Sequence, residues 1–414
     1  MQQTRERIGS VSRRKGVGFQ AIALASSTGL SQLIVALLYI WTARSTAPAD
    51  FGLLIAGIAM GTAAVGFVDF GTNSMWTREL ATGRMEPFEH GRRLSGKLIV
   101  TAALATIWVL STLHFMPATY AWVAGPVAMS TLLNQSFQVS LRGEARGDLV
   151  SLSILGDRLM ALAAFAALTL TGSPAVQSLW ISLTAGSLVA TLSGWFLTPA
   201  EKRPILRLSR NTNPWLAAGH YGLSNVAFSA QSLDTPIMTA VSGASTAGVY
   251  GAVARWTQPM GLLANAFSSA AAPHMARAET TAAAWNHIKR SVWLPATAVL
   301  TCIIIAATAP FLVNVLIGNQ YEESVHVLQV LALGTIPAIV NQPLFVFLQA
   351  RGLDKSVAFL ATSVVFVQLA LVAVLASVLG ALGAAVAAAG SQLVLLLGLG
   401  ILTRKLAWST RPPA

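Results

Sequence analysis

Residues 232–256 read SLDTPIMTAVSGASTAGVYGAVARW, the centre of a hairpin between hydrophobic stretches at about 215–241 and 248–272. The connection, 242–247, carries no charge. Asp234 lies seven residues before the end of the first stretch, and Arg255 seven residues after the start of the second. At a rise of about 1.5 Å per residue, both sit roughly 10 Å into a bilayer. An ionisable side chain there costs about 3 kcal/mol or more unless it is paired or faces water. Two opposite charges at one depth therefore point to an ion pair locking two helices, or to a polar cavity between them. Asn225, Ser229, Gln231 and Ser232 precede Asp234, and Gln258 and Asn265 follow Arg255. Amides and hydroxyls so placed suit a substrate or ion pathway.

The same hydrophobicity extends outward over the whole chain. Of 414 residues, 54% are hydrophobic and only 10% are charged, with a mean hydropathy of +0.64. A soluble protein of this length cannot hide that much apolar surface, so the fold class is all-α integral membrane. Before the hairpin, apolar spans fall at about 16–41, 51–70, 98–115, 120–141, 149–171 and 176–197. The first is too long for the hydrophobic part of a usual signal peptide, lacks a clear cleavage site, and is kept as a span. The second carries Gly57 and Gly61 at a spacing that allows close helix contact. After the hairpin come spans at about 292–317 and 325–349. The final run, 358–402, holds no charge for 45 residues. As one helix it would measure about 68 Å, over twice the hydrocarbon thickness, so it must fold back, and the expected place is around 380–383. The expected total is twelve spans.

All but three of the 27 basic residues fall in the N-terminus, the C-terminus and alternate connections (2–3, 4–5, 6–7, 8–9 and 10–11). The exceptions are Arg44, in the connection after span 1, and Arg158 and Arg255, inside spans 5 and 8. The acidic pair Glu322 and Glu323 lies on the side poor in basic residues. The positive-inside rule then places both termini in the cytoplasm. It also explains the net charge of +12 without nucleic acid, because the basic residues are topology signals and contacts to anionic lipid. One cysteine, Cys302, allows no disulfide within the chain, and six scattered histidines show no metal spacing. No Walker lysine or nucleophile elbow appears.

The halves repeat. An aromatic–Gly step, Phe51-Gly52, opens span 2, and Tyr250-Gly251 opens span 8. Arg142-Gly143 follows span 4, and Arg351-Gly352 follows span 10. Six spans per half give both halves one orientation, related by an axis along the membrane normal, with a site between them. The expected division is a bundle over 1–200, a basic connector over 201–214 and a second bundle over 215–414.

Arg44-Ser-Thr-Ala-Pro-Ala-Asp50-Phe51-Gly52, Asp69-Phe-Gly71 and Arg78-Glu79-Leu80 resemble the N-terminal signature of the Wzx-like polysaccharide-biosynthesis flippases. These belong to the multidrug/oligosaccharidyl-lipid/polysaccharide exporter superfamily. Gly248-Val-Tyr250-Gly251 with Pro273, the run 310–321, and Gln349-Ala-Arg351-Gly352 resemble its second half. The resemblance covers nearly the whole chain. It implies two six-helix bundles around a central cavity that alternates between leaflets of the bacterial inner membrane. It implies an undecaprenyl-diphosphate-linked oligosaccharide as substrate, with no catalytic residue and no cofactor. A polysaccharide polymerase and glycosyltransferases are the partners such a role implies.

A diphosphate needs cations, and a sugar needs hydroxyl and amide partners. Arg255, Arg158 and Arg44 are the expected diphosphate ligands, with Asn225, Gln231 and Trp256 facing the sugar. Pairing with Asp157 competes as the role of Arg158, and an interface position competes for Arg44. Asp234 is the candidate site for H⁺ or Na⁺ coupling. Asp69 and Arg78, with Glu79, form either a cytoplasmic gate or a helix-end salt bridge. Mid-span amides such as Asn134, Asn341 and Gln392 bond helices by default. Four other readings remain open. They are an ion-coupled multidrug exporter of the same superfamily, a lipid II flippase (which usually has fourteen spans), a membrane glycosyltransferase or polymerase, and a structural membrane protein. The longest loops, 71–97 and 273–291, hold no paired-carboxylate motif for the enzyme reading.

Overall fold

The computed structural model describes residues 17–207, 213–257, 259–261 and 293–409. Gln258, Asn265, Pro273, Arg210, the basic residues before position 16 and the 273–291 connection lie outside the described residues. Only helices and their connections occur among the described residues.

In the first half, α1 is Val17–Arg44, α2 Pro48–Asp69, α3 Thr72–Ala81 and α4 Pro87–Phe115. They are followed by α5 Ala124–Phe137, α6 Val139–Gly143, α7 Gly147–Leu170 and α8 Ala175–Leu197. In the second half, α9 is Gly219–Ala230, α10 Asp234–Ser242 and α11 Ala244–Ala254. The last three are α12 Trp293–Leu316, α13 Ser324–Ala350 and α14 Asp354–Ser409. Proline opens α2 and α4, where its missing N–H is no loss and its φ already suits a helix.

Among the described residues, eight helices are long and apolar enough to cross a membrane. The longest, α14, is two spans, because Gly380 breaks it at φ 60°, ψ −139°. That left-handed conformation is strained for any side chain, so a glycine stands at the fold-back. The remaining spans are built from pieces. Span 4 is a 3₁₀ turn at Ala121–Val123 followed by α5 and α6, and span 7 is α9 and α10 joined by a 3₁₀ turn at Gln231–Leu233. Span 8 is described over α11 and onward to residue 261, apart from 258. The twelve-span reading therefore stands, with boundaries corrected. The largest correction concerns 71–97, read as a loop. It holds α3 and the first turns of α4, so Lys97 lies inside a helix.

The short connections gather at one end of the molecule, here the turn end. The longer ones, with α3, α6 and the Ala200–Lys202 turn, lie at the other, the connector end. Within the first half α7 packs on α1 and α8, and α5 bridges α2 and α8. Within the second half α13 packs on α12 and α14, and α10 packs on α14. Helix α2 is the seam, running along α9, α10 and α11 of the other half. One buried apolar cluster runs through both halves, with Leu38, Phe51, Leu54, Val253 and Leu328 among its members.

The seam is closest at the turn end. A Cβ on Gly52 would strike the Ala244 carbonyl, and one on Gly248 would strike the Pro48 carbonyl. Both obstacles are backbone, which cannot swing aside. Gly248→Val is expected to cost about 1–3 kcal/mol. It should show as a lower melting temperature and a smaller monodisperse fraction after extraction. Melting like the parent would mean that the contact is not made.

Candidate functional site

A cavity of about 300 Å³ lies in the seam. Ile55, Ala59 and Thr62 of α2 form one wall. Gln231, Ser232, Asp234, Thr235, Tyr250 and Arg255 form the other, with Gln368 of α14. The two charges found in the hairpin thus face one cavity. They make no ion pair with each other among the described residues. Asp234 instead accepts hydrogen bonds from the Tyr250 hydroxyl at 3.0 Å, the Thr235 hydroxyl at 3.0 Å and the Thr235 N–H. Arg255 sits at the C-terminal end of α11, where the helix gives way to a turn. Its guanidinium carbon lies 4.4 Å from the ring centre of Tyr39, which comes from α1 in the other half. The cavity therefore holds an anchored carboxylate and a guanidinium stacked on an aromatic face, a geometry in which the cation can be drawn toward an anion.

Gln231 lines this cavity, in the 3₁₀ turn between α9 and α10. Trp256 packs partly buried against the main core, and its ring N–H is buried without a partner among the described residues. Asn225 is elsewhere, on α9 toward the connector end. It donates to the Gly66 carbonyl at 3.0 Å and to Asp69 at 3.4 Å, tying the halves together.

Arg158 donates to Ser31 at 3.1 Å and lies 3.6 Å from Asp157. Asp157 in turn accepts from Asn134 at 3.2 Å, within a buried network that includes Gln138 and Ser153. This is the pairing alternative for Arg158, away from the seam cavity. The Asn341 amide donates to Gln392 at 3.2 Å, an interhelical bond of the default kind.

Arg44 donates to the Val315 carbonyl at 2.8 Å, so it joins the turn ends of the two halves. Gln320 donates to the carbonyls of Ala43, Arg44 and Thr46, and Tyr321 donates to Thr46 at 3.2 Å. Burial, helped by Asp50, pushes the Tyr321 hydroxyl well above its ordinary pKa, so it stays a donor. Ser324 adds a bond to the Val249 carbonyl. The bonds from Arg44, Gln320 and Tyr321 cross between the halves and hold them together at the turn end.

The charge partner of Asp69 is Lys97, at 3.0 Å. Lys97 is 0% exposed and also donates to Thr72 at 3.0 Å and Asn73 at 2.8 Å. Its ammonium lies 4.2 Å from the Trp76 ring centre. Sequence reasoning counted Lys97 among the boundary cations. The signal available for its pairing was a buried carboxylate needing a cation on a neighbouring helix, here 28 residues away. Arg78 lies on α3 beside this cluster in sequence, and the ion pair of Asp69 goes to Lys97.

The all-helical fold of this chain is shared by solved transporters of the MOP superfamily. A multidrug resistance MATE family transporter of that superfamily, in an inward-facing conformation, superposes with a TM-score of 0.67 at 15% identity, covering 94% of this chain and 100% of the other. The lipid II flippase MurJ, in an inward closed conformation, gives 0.73 at 12% identity, over 94% and 88%. A MOP superfamily transporter from Pyrococcus furiosus gives 0.60 at 14%, over 96% of each chain. Identities this low carry the fold alone. No curated protein sequence matches the chain. The polysaccharide biosynthesis protein family matches residues 18–279, and the chain belongs to that family.

Proposed function

We propose that this protein is a flippase that moves an undecaprenyl-diphosphate-linked oligosaccharide across the bacterial inner membrane by alternating access. The bundles over 1–200 and 215–414 rock against each other, and the termini are cytoplasmic. The observation that carries this reading is the seam cavity, which combines one guanidinium, that of Arg255, with the amide and hydroxyl groups of Gln231, Ser232 and Thr62. That mixture suits a diphosphate joined to a sugar, while the lipid stays in the bilayer between the halves. Family membership supports polysaccharide biosynthesis as the pathway, and the fold supports transport rather than catalysis. Asp234, in the same cavity, favours a second reading, an ion-coupled multidrug exporter of the same superfamily.

The deciding experiment measures lipid-linked glycan on each leaflet in cells lacking the protein. Accumulation on the cytoplasmic leaflet, reversed by the intact chain, is the expected result. Normal glycan export with raised sensitivity to cationic compounds would replace the flippase with the exporter. Asp234→Asn in the same assay is expected to remove any dependence of transport on an H⁺ or Na⁺ gradient. Unchanged gradient dependence would take the coupling role away from Asp234.

A further inference from the structure

A row of rings links the cavity to the closed turn end. It starts at Arg255, stacked on Tyr39. Tyr39 meets Phe51 edge to face at 6.3 Å and 85°, and Phe51 meets Tyr321 at 6.3 Å and 87°. Tyr321 ends the row with its hydrogen bond to Thr46. All three rings are buried, at 2%, 0% and 0% exposure. The row also crosses between the halves at each of its two ends. Arg255 and Tyr321 come from the second half, and Tyr39 and Phe51 from the first. Parting the halves at the turn end therefore breaks the Phe51–Tyr321 contact and the Tyr39–Arg255 contact together.

We propose that Tyr39 is a positioning residue that holds Arg255 in the closed molecule, and that the row Tyr39–Phe51–Tyr321 makes turn-end closure depend on where Arg255 points. Edge-to-face rings in a packed interior have few alternative arrangements, so losing a partner at one end of the row is felt by the next ring. An anionic group entering the cavity offers the guanidinium charge-assisted, bidentate bonds that outcompete an aromatic face. When Arg255 turns to the anion, Tyr39 loses the group that ties it to the second half. The turn-end seal is then left to Phe51–Tyr321 and the bonds to backbone carbonyls, and it opens more readily. This rests on the reading of Arg255 as the diphosphate ligand. The contribution of Tyr39 is mechanical rather than direct binding: it turns occupancy of the cavity into opening at one end.

The test uses the full chain in lipid nanodiscs, with Cys302→Ala removing the native thiol. Ser45→Cys and Asn319→Cys, both exposed and beside the seal without forming it, report closure through the rate of cross-linking by a short bifunctional thiol reagent. Undecaprenyl diphosphate is the probe. With Tyr39 intact, the probe is expected to slow cross-linking about fivefold or more. Tyr39→Phe keeps the ring and should behave like the parent. Tyr39→Leu should cross-link slowly even without the probe and respond little to it. Arg255→Lys approaches the contact from its other side, replacing the planar fork with a compact ammonium. It should also slow basal cross-linking, and it keeps the test alive if Tyr39→Leu folds poorly. Basal rates for Tyr39→Leu and Arg255→Lys equal to the parent would overturn the row. If the probe neither binds the parent nor changes its rate, the substrate reading fails instead, and the basal comparison of Tyr39→Leu with Tyr39→Phe still decides the role of Tyr39.

Discussion

Arg255→Ala is expected to cut export of lipid-linked glycan about 10- to 100-fold, the factor that corresponds to losing a charged hydrogen bond of about 1.5–3 kcal/mol. Protein level and membrane insertion should stay normal, because Arg255 faces a cavity and ends a helix instead of filling a packed position. Its guanidinium is the cation on that cavity's wall, opposite the α2 residues Ile55, Ala59 and Thr62. Truncation also frees Tyr39, so the variant loses both a ligand and the contact that positions it. Arg255→Lys should fall between, retaining charge and losing the bidentate fork. The assay is leaflet-resolved glycan in cells whose own copy has been replaced by the variant. Export at the parental rate with Arg255→Ala would end the assignment of this residue to the substrate.

The largest expected loss of stability comes from Lys97→Met. Lys97 is fully buried against Asp69, Thr72, Asn73 and the Trp76 ring. Removing it leaves the Asp69 carboxylate buried without its countercharge, a change that costs about 3–5 kcal/mol. The measurement is thermal or denaturant unfolding of the purified protein. Adding Asp69→Asn to Lys97→Met should restore much of the loss. The neutral amide needs no cation, and its oxygen can still accept from Thr72 and the Asn73 N–H. If the double variant is no more stable than Lys97→Met alone, charge pairing is not what holds this cluster.

Much of the architecture was legible in the amino-acid sequence, for identifiable reasons. Membrane spans declare themselves through long charge-free runs, and the run over 358–402 was too long to be one helix, which located the break that Gly380 makes. Asp234 and Arg255 stood out because a charge at membrane depth is costly, and their equal depth anticipated a shared cavity. The piecewise build of spans 4 and 7 left no such trace, since the 3₁₀ turns at Ala121–Val123 and Gln231–Leu233 contain ordinary helix-forming residues. Lys97 was misread because it follows Arg92 and Arg93 and looks like one more boundary cation. Tyr39 and Tyr250 were missed because an aromatic residue in an apolar run is core by default, and only the fold brings them to Arg255 and Asp234. Arg44 carried a family resemblance, whereas its acceptor, the Val315 carbonyl 271 residues away, has no sequence signal at all.

The Lys97–Asp69 pair also bears on how the chain is made. Asp69 ends α2 and leaves the ribosome first, and Lys97 follows 28 residues later on α4. Neither helix can settle alone in hydrocarbon with its charge uncovered except at an energetic cost. The two are therefore best delivered to the membrane as one unit, with α3 lying between them as they meet. A chain stalled before Lys97 emerges would carry an unmatched carboxylate at the bilayer edge, so the first half is complete in charge only once α4 has been made.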